Sequence, residues 1–276
     1  MTATIEPIQT FARAIRAHAL RMVAAAHASH IGSCLSIADI LAVLYGSILN
    51  VDPSRPRWEG RDRLIVSKGH AAAIVYAALA ERGFFPISLL DSYCREGSPL
   101  AGHVTHVHVP GVEVSTGSLG HGLSIGCGMA LAAKRTGQSY AVHVLLSDGE
   151  CDEGSIWEAA LFAPHHRLDN LVVTVDYNGI QSFGSVKEVL DLDPFIDKWR
   201  AFGWQACEID GHDVTALLEA YRQRPDGKPR VIIARTIKGK GVSFMENQLA
   251  WHYKSPKAEE LAQALAEVAE SVRGAA

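Results

Sequence analysis

Short apolar runs alternate with longer stretches of helical spacing through most of the chain. The runs are bounded by turn-forming residues and predict strands at residues 63–66, 141–146, 171–176, 204–209 and 231–234. Strands that alternate with helices usually form right-handed crossovers, which place the strands in parallel and cover the sheet on both sides. The pattern therefore predicts an α/β fold with a mostly parallel sheet and helices on both faces.

The stretches between the strands carry apolar residues three or four positions apart. They predict helices over residues 11–27, 36–48, 71–81, 121–136, 152–165, 194–202 and 214–222, and a last amphipathic helix from Ser255 that frays at Gly274. Ser36 and Asp39 match the capping-box pattern, so we expect a helix to begin at Ser36. His30 then lies in the turn between two helices.

The composition is that of a globular protein with a large core. Its 276 residues are 48% hydrophobic, and we expect one large domain spanning residues 1–276. A net charge of −4 and a pI near 6.3 argue against nucleic acid and anionic membranes as partners. No apolar run approaches the ~20 residues of a membrane span, and residues 1–9 contain no signal-peptide core. We therefore expect a cytoplasmic protein.

The five cysteines are scattered along the chain and form no C-x-x-C pair. An odd number without zinc or disulfide spacing indicates reduced thiols. Cys151 lies close to the candidate site described next, but no motif there supports a nucleophile, so we interpret it as a small packing residue.

Two of the predicted strands end in polar residues that suit a metal ion. Asp148 follows the 141–146 strand, and Asn178 follows the 171–176 strand. The carboxyl ends of parallel strands lie on one edge of a sheet, where open α/β sheets bind ligands, so these side chains can meet. A carboxylate, an amide oxygen and a backbone carbonyl are hard ligands for Mg²⁺ or Ca²⁺, and Mg²⁺ often also binds phosphate oxygens. The stretch predicts a metal and diphosphate site.

Three histidines lie close together in a segment with little predicted regular structure. His103, His106 and His108 could suggest zinc, but they alternate with valines and have no acidic or cysteine partner nearby. We interpret His103 as a substrate-facing residue. For His106 and His108 a solvated or structural role stays open.

A glycine-rich stretch at 115–122 leads into the helix that ends near Thr136, which also contains Gly126 and Gly128. The spacing does not match G-x-G-x-x-G, because Ile125 occupies the position of the third glycine. Each helical glycine costs roughly 1 kcal/mol relative to alanine, so several together imply close backbone approach. The spacing leaves two interpretations open: tight helix packing, or a backbone cradle for a cofactor.

Taken together, these motifs resemble the transketolase family. Ser147-Asp148-Gly149 with the downstream Asn178 resembles the thiamine diphosphate motif, which is usually G-D-G followed by asparagine. Four more segments match the family: residues 29–32, 67–70, 102–103 with 111–120, and 238–241 with His252. The match is to the amino-terminal, diphosphate-binding half and covers nearly the whole chain. The family's usual chain is more than twice as long, so this chain resembles the small subunit of a split transketolase with a thiamine diphosphate-binding (PP-type) fold.

The resemblance implies a set of metal and cofactor ligands. Mg²⁺, or Ca²⁺ or Mn²⁺ in its place, would be bound by Asp148, Asn178 and the backbone carbonyl of Ile180. Thiamine diphosphate would be held by residues from several loops: His70, Gly117, Ser118, Leu119, Gly149, Asn178 and His252.

The resemblance also implies the catalytic residues. His30, His103 and His252 would line the channel over the thiazolium and contact the carbonyl and hydroxyl oxygens of the donor sugar. Glu153 and Glu158 match acidic positions of the cofactor half that face the partner chain.

The implied activity is reversible transfer of a two-carbon glycolaldehyde unit from a ketose (phosphate) donor to an aldose acceptor. The resemblance implies that the chain works only with a carboxy-terminal, pyrimidine-binding subunit, in an α2β2 heterotetramer, because the glutamate that activates the cofactor belongs to that half. Two alternatives stay open. One is a related thiamine diphosphate enzyme subunit, such as a deoxyxylulose-phosphate synthase-like or specialised sugar ketolase; the other is a noncatalytic regulatory subunit.

Overall fold

Five parallel strands form one sheet in the computed structural model, which describes residues 2–224 and 226–270. The strands are β1 (Arg63–Val66), β2 (Val142–Ser147), β3 (Leu171–Tyr177), β4 (Gln205–Asp210) and β5 (Arg230–Arg235). Their order is β1-β2-β3-β5-β4, and every neighbouring pair is parallel. The predicted strands are confirmed to within one residue at each end.

The helices fall between and around these strands, largely where the apolar spacing predicts them. They are α1 (Thr2–Ala26), α2 (Ile31–Ser36), α3 (Ala38–Val43), α4 (Ala72–Arg82), α5 (His121–Thr136), α6 (Gly154–His165), α7 (Val186–Val189), α8 (Phe195–Ala201), α9 (Val214–Arg222) and α10 (Ala258–Glu270). Short 3₁₀ turns at Gly69–Ala71, Gly149–Asp152 and Leu249–His252 follow strands or precede helices near the carboxyl edge of the sheet.

Alternating strand residues divide the core into two layers. In β1, Leu64 and Val66 face the layer formed with α1–α4, α9 and α10, whereas Ile65 faces the layer formed with α5, α6 and α8. Each fully buried side chain of this kind stabilises the fold by about 1.5–3 kcal/mol, which explains why the central strands β2 and β3 are mostly apolar, whereas the edge strand β4 contains several polar residues. The predicted α/β class, with helices on both faces of a parallel sheet, is confirmed.

The start of the second helical stretch differs from the prediction. Helix α2 begins directly after His30, whose backbone is left-handed (φ 74°), and it ends at Ser36. Ser36 does not cap a helix, because its hydroxyl donates a hydrogen bond of 2.7 Å to Asp176. The Asp39 carboxylate accepts two hydrogen bonds from Arg16 instead. The capping-box prediction was therefore wrong: both side chains are buried and bind distant segments. His30 does lie in the predicted turn.

One predicted feature, the fraying of the last helix at Gly274, lies outside the described residues. Helix α10 begins at Ala258, shortly after the predicted start. Among the described helices, none is long and apolar enough to cross a membrane.

Candidate functional site

A cleft of about 240 Å³ opens at the carboxyl edge of the sheet. It collects residues from the loops after β1, β2, β3 and β5 and from the loop before α5. Ten of the residues singled out from the sequence line it: His30, His70, His103, Gly117, Leu119, Asp148, Gly149, Asn178, Ile180 and His252. The topological argument that strand ends share one edge thus places Asp148 and Asn178 in one cleft.

Asp148 provides a buried anion at the floor of the cleft. Its two carboxylate oxygens accept hydrogen bonds from the backbone N–H groups of Gly149 (2.7 Å) and Gly179 (2.6 Å). Burial, and then the charge of the neighbouring Asp176, raise the pKa of Asp148 to about 6. A buried carboxylate with a raised pKa suits a cation bound beside it, which would favour its charged form.

Lys238 extends a positive charge into the same end of the cleft. Its Nζ donates to the backbone carbonyl of Ile180 at 2.9 Å and lies 3.1 Å from Nδ1 of His252. Burial, followed by the charge of Lys68, lowers the pKa of Lys238 to about 8. The Asn178 Oδ1 accepts the N–H of Ile180 at 3.2 Å. Lys238 thus contacts one of the three predicted oxygen donors, and a carboxylate, an amide oxygen and a backbone carbonyl are the hard ligands that fit a divalent metal.

Asp176 lies below the floor of the cleft and connects the residues that surround it. Its carboxylate accepts hydrogen bonds from Lys68 (2.5 Å), Ser36 (2.7 Å), the Asn178 amide (3.1 Å) and the Thr236 hydroxyl. Burial alone would raise the pKa of Asp176, but the Lys68 charge and the hydroxyl donors hold it below its ordinary value. Because the amide nitrogen of Asn178 donates to Asp176, the amide oxygen of Asn178 points away from Asp176.

Four histidines surround the upper part of the cleft. The ring of His30 lies 5.1 Å from those of His70 and His252 and 6.0 Å from that of His103. The backbone N–H of His30 donates a hydrogen bond to the backbone carbonyl of His252 at 2.9 Å. Burial, then nearby charges, lower the pKa of His30 to about 4 and that of His252 to about 3, and lower the pKa of His70 well below its ordinary value. These three rings are therefore neutral near pH 7.

Three predicted site residues lie outside the cleft. Ser118 is exposed beside it, although Gly117 and Leu119 line it. Glu153 precedes the first residue of α6 and is exposed. Glu158 is exposed on α6 and lines a separate groove with Phe162. Both glutamates are therefore exposed to solvent and neither lines the cleft.

The geometry bears on the zinc site considered for the three histidines and on the role of Cys151. In the part of the chain that the structure describes, no group of three or more His, Cys, Asp and Glu side chains is arranged to hold a metal. His106 instead contacts the Ser115 hydroxyl at 2.8 Å. Cys151 is fully buried in the α5, α6 and α8 layer, and burial raises its pKa well above the ordinary value. It is a packing residue, as predicted.

Sequence reasoning did not assign individual roles to several polar residues of the site. Lys68 and Lys238 entered only as members of motifs, and Ser33, Glu150 and Gln181 carried no signal of their own. Lys68 and Lys238 each lie in a loop just after a strand, at the carboxyl edge. The same strand-end argument that selects Asp148 therefore selects both lysines.

Comparisons with known proteins show the family of this chain. The chain matches the family model described as transketolase, thiamine diphosphate binding domain, over residues 8–269. It is 45% identical over 247 residues to a 6-deoxy-6-sulfo-D-fructose transketolase subunit of Clostridium sp. (strain MSTE9), covering 89% of this chain and 90% of that one. It is 41% identical over 270 residues to an apulose-4-phosphate transketolase subunit of Phocaeicola vulgatus, covering 97% and 96%.

The fold is also found in solved structures of longer chains. The transketolase from Campylobacter jejuni superposes with a TM-score of 0.90 at 31% identity, over 96% of this chain but 43% of that chain. This chain thus spans less than half the length of that transketolase. From the family match, the relatives and the shared fold, we conclude that the chain belongs to the transketolase family and corresponds to its thiamine diphosphate-binding domain.

Proposed function

We propose that this chain is the cofactor-binding subunit of a two-subunit transketolase, which transfers a two-carbon glycolaldehyde unit from a ketose or ketose phosphate to an aldose. The observation that carries the proposal is the single cleft in which a hard-oxygen cation site and four histidines meet. The names of two relatives of matching length, each a transketolase subunit, support the division into subunits.

In this proposal the floor of the cleft holds the metal and the diphosphate. Asp148, Asn178 and the carbonyl of Ile180 bind Mg²⁺, for which Ca²⁺ or Mn²⁺ substitute. His70 and Lys238 lie beside them and offer donors to phosphate oxygens. Gly149 and the loop from Gly117 to Leu119 hold the cofactor through backbone contacts. When bound, thiamine diphosphate supplies a nucleophilic carbon and an electron sink next to a carbonyl.

The histidines act on the sugar. His30 and His252 are neutral near pH 7, so each ring can donate a hydrogen bond to a developing oxyanion without a prior protonation step. His103 lies at the exposed rim of the cleft, where it can contact a hydroxyl of the donor. A neutral imidazole also accepts a proton from a hydroxyl group, which the cleavage of the donor requires.

The proposed partner is a chain that carries the pyrimidine-binding half, assembled as α2β2. The exposed face of α6 supports a contact there, because Leu161 and Phe162 are 61% and 39% exposed beside the groove that Glu158 lines. Large apolar side chains grouped at the surface often mark a protein interface. The five free thiols are in keeping with the cytoplasm as the proposed location.

The proposal specifies the substrate only as a class of sugars. Two relatives act, by their names, on 6-deoxy-6-sulfo-D-fructose and apulose 4-phosphate, so related subunits serve different sugars. A specialised ketolase is therefore the second candidate. A noncatalytic role is disfavoured because a scaffold has no physical need for Asp148, Asn178 and three neutral histidines in one cleft.

The test combines the purified chain with its partner, Mg²⁺ and thiamine diphosphate. Donors such as xylulose 5-phosphate and 6-deoxy-6-sulfo-D-fructose are paired with a panel of aldoses, and new ketoses are identified by mass spectrometry. We expect two-carbon transfer with at least one pair and loss of about 100-fold or more in a His30→Ala complex, of the size found when an electrostatic donor is removed.

The matched control is His27→Asn, at an exposed position outside the cleft. Asparagine tolerates the left-handed backbone that His27 adopts (φ 50°), so this complex should remain fully active. Absence of transfer across the panel, with cofactor bound, would sink the catalytic proposal.

A further inference from the structure

Glu150 is a fully buried carboxylate next to the diphosphate turn. It lies one residue after Gly149 and is 0% exposed. Its Oε1 accepts a hydrogen bond from the N–H of Gly120 at 2.8 Å and another from the Ser67 hydroxyl. Its Oε2 accepts the N–H of Ser147 at 3.3 Å. One side chain therefore joins three segments: the loop after β1, the loop before α5 and the end of β2.

The hydrogen-bond directions around Glu150 fit an ionised carboxylate. The Ser67 oxygen accepts the N–H of Gly122 at 3.1 Å, so the hydroxyl proton of Ser67 is free to point at Glu150. The N–H groups of Gly120 and Ser147 can only donate. Three donors around one carboxylate are the arrangement expected of an anion.

This anion caps α5 from another part of the chain. The residue before α5, Gly120, has no side chain and a left-handed backbone (φ 83°). The free N–H groups at the start of a helix need acceptors, and a negative charge there is favourable. Glu150 takes the N–H of Gly120 directly and that of Gly122 through Ser67. Ser155 of α6 adds a hydrogen bond of 3.0 Å to the carbonyl of Gly120.

Each of the three joined segments contributes to the cleft. The loop after β1 carries His70, the loop before α5 carries Gly117 and Leu119, and the turn after β2 carries Asp148. The backbone of the α5 loop lies directly on the β1 loop, since a Cβ added to Gly69 would stand 2.4 Å from the Thr116 carbonyl carbon. A shift of the loop before α5 would therefore change the spacing across the cleft.

We propose that Glu150 is a positioning residue, which sets the distance of the Gly117–Leu119 loop from the diphosphate turn and thereby the affinity for the ring portion of thiamine diphosphate. This inference rests on the cofactor of the proposed function and goes beyond it. It assigns the fit of the rings to a buried carboxylate that does not itself line the cleft.

The first experiment compares two probes by titration calorimetry with Mg²⁺ on the complex of the chain and its pyrimidine-binding partner: thiamine diphosphate, and inorganic pyrophosphate, which lacks the rings. We expect Glu150→Gln and Ser67→Ala each to weaken thiamine diphosphate binding about tenfold or more, the effect of losing a charge-assisted hydrogen bond. Pyrophosphate binding should change about tenfold less. Because both variants break one network, the double variant should lose less than the product of the single losses. The exposed control Glu219→Gln should bind both probes normally.

Equal losses for the two probes, or unchanged thiamine diphosphate affinity, would overturn the proposal. A second measurement needs no cofactor: hydrogen exchange at residues 117–122 should accelerate in Glu150→Gln while exchange in β3 is unchanged. Unchanged exchange at 117–122 would also overturn it. If the wild-type complex of the chain and its partner bound neither probe, the proposed function would fail, and the exchange result would still decide whether Glu150 holds this loop.

Discussion

Lys68 and Asp176 form an ion pair in which Nζ and Oδ2 are 2.5 Å apart and both side chains are 0% exposed. Lys68 follows β1 and Asp176 belongs to β3, so the pair reaches past the end of β2, which lies between them. It stabilises the floor of the cleft at the point where Asp148 leaves β2. The Lys68 ammonium also donates to the backbone carbonyl of Ser33 at 3.1 Å, which ties α2 to the same point.

Replacing Lys68 by methionine should destabilise the chain strongly. The change leaves Asp176 as a buried anion with neutral donors only, and breaking such a pair costs about 3–5 kcal/mol. The free energy of unfolding in urea measures the loss. Arg200→Ala, which breaks an exposed pair with Asp197 (3.1 Å), is the matched control and should cost less than about 1 kcal/mol. If the two variants lost similar amounts of unfolding free energy, burial would not be what makes the Lys68–Asp176 pair important.

Asp148→Asn should abolish Mg²⁺-dependent binding of thiamine diphosphate and leave the fold intact. The substitution removes the charge that attracts the cation and the acceptor of one of the two backbone N–H groups, but the lost repulsion from Asp176 offsets part of that cost. We therefore expect cofactor affinity at least about 100-fold weaker by calorimetry, with thermal unfolding of the cofactor-free chain within a few degrees of the wild type. Normal affinity in this variant would mean that the metal binds elsewhere.

His143 should make the stability depend on pH. It is buried on β2, and burial, then the charge of Arg230, lower its pKa to about 4. The unfolded chain takes up a proton near pH 6.5 that the folded chain rejects, so stability falls as the pH drops from 6.5 toward 4. At pH 5, His143 accounts for about 2 kcal/mol of the lost stability.

Removing the imidazole should reduce this dependence. We expect the difference in unfolding free energy between pH 8 and pH 5 to be about 2 kcal/mol smaller in His143→Leu than in the wild type. Urea titrations at the two pH values provide the measurement. The comparison at pH 8, where the imidazole is neutral in both states, separates the packing effect of leucine. An unchanged difference would show that another group causes the acid sensitivity.

Two glycines with similar backbone angles test the tightness of the loop before α5. Gly120 (φ 83°) would place a Cβ 2.4 Å from the Ser155 hydroxyl oxygen and 2.8 Å from the Cβ of Glu153, whereas Gly137 (φ 70°) has no atom within 4 Å of that position. Alanine at Gly137 should cost only the left-handed backbone, about 1 kcal/mol. Gly120→Ala should cost at least about 2 kcal/mol more, measured by urea unfolding, because overpacking adds to the backbone cost. Equal costs would mean that Ser155 and Glu153 yield freely.

The strands and most helices could be predicted because a sheet covered on both faces needs apolar strands and amphipathic helices. Asp148 and Asn178 could be placed for a similar reason, since each follows an apolar strand and the topology brings the two ends together. The turn at His30 was also found, although the capping-box argument for it was wrong. Ser36 looks like a helix cap in sequence because nothing local reveals its contact with Asp176.

Buried charges were the main gap in the sequence interpretation. Lys68 and Glu150 look like surface residues, since lysine and glutamate are rarely fully buried unless paired. Their partners, Asp176 and Ser67, are distant in sequence and meet them only in the fold. The exposed positions of Glu153 and Glu158 could not be obtained from the chain's own pattern either, because a solvated helix face and an interface between chains have the same sequence signature.

The hydrogen bond from His30 to the carbonyl of His252 joins the first quarter of the chain to its last tenth. The cleft is therefore completed only when the last part of the chain folds onto His30. During synthesis, the loops after β1, β2 and β3 can form earlier, while the upper wall that His252 lines is still missing. A chain shortened before the Leu249–His252 turn would keep all five strands but lose the backbone acceptor of His30 and the core helix α10. We expect such a chain to be less stable and to leave the cleft open on the side that His252 lines.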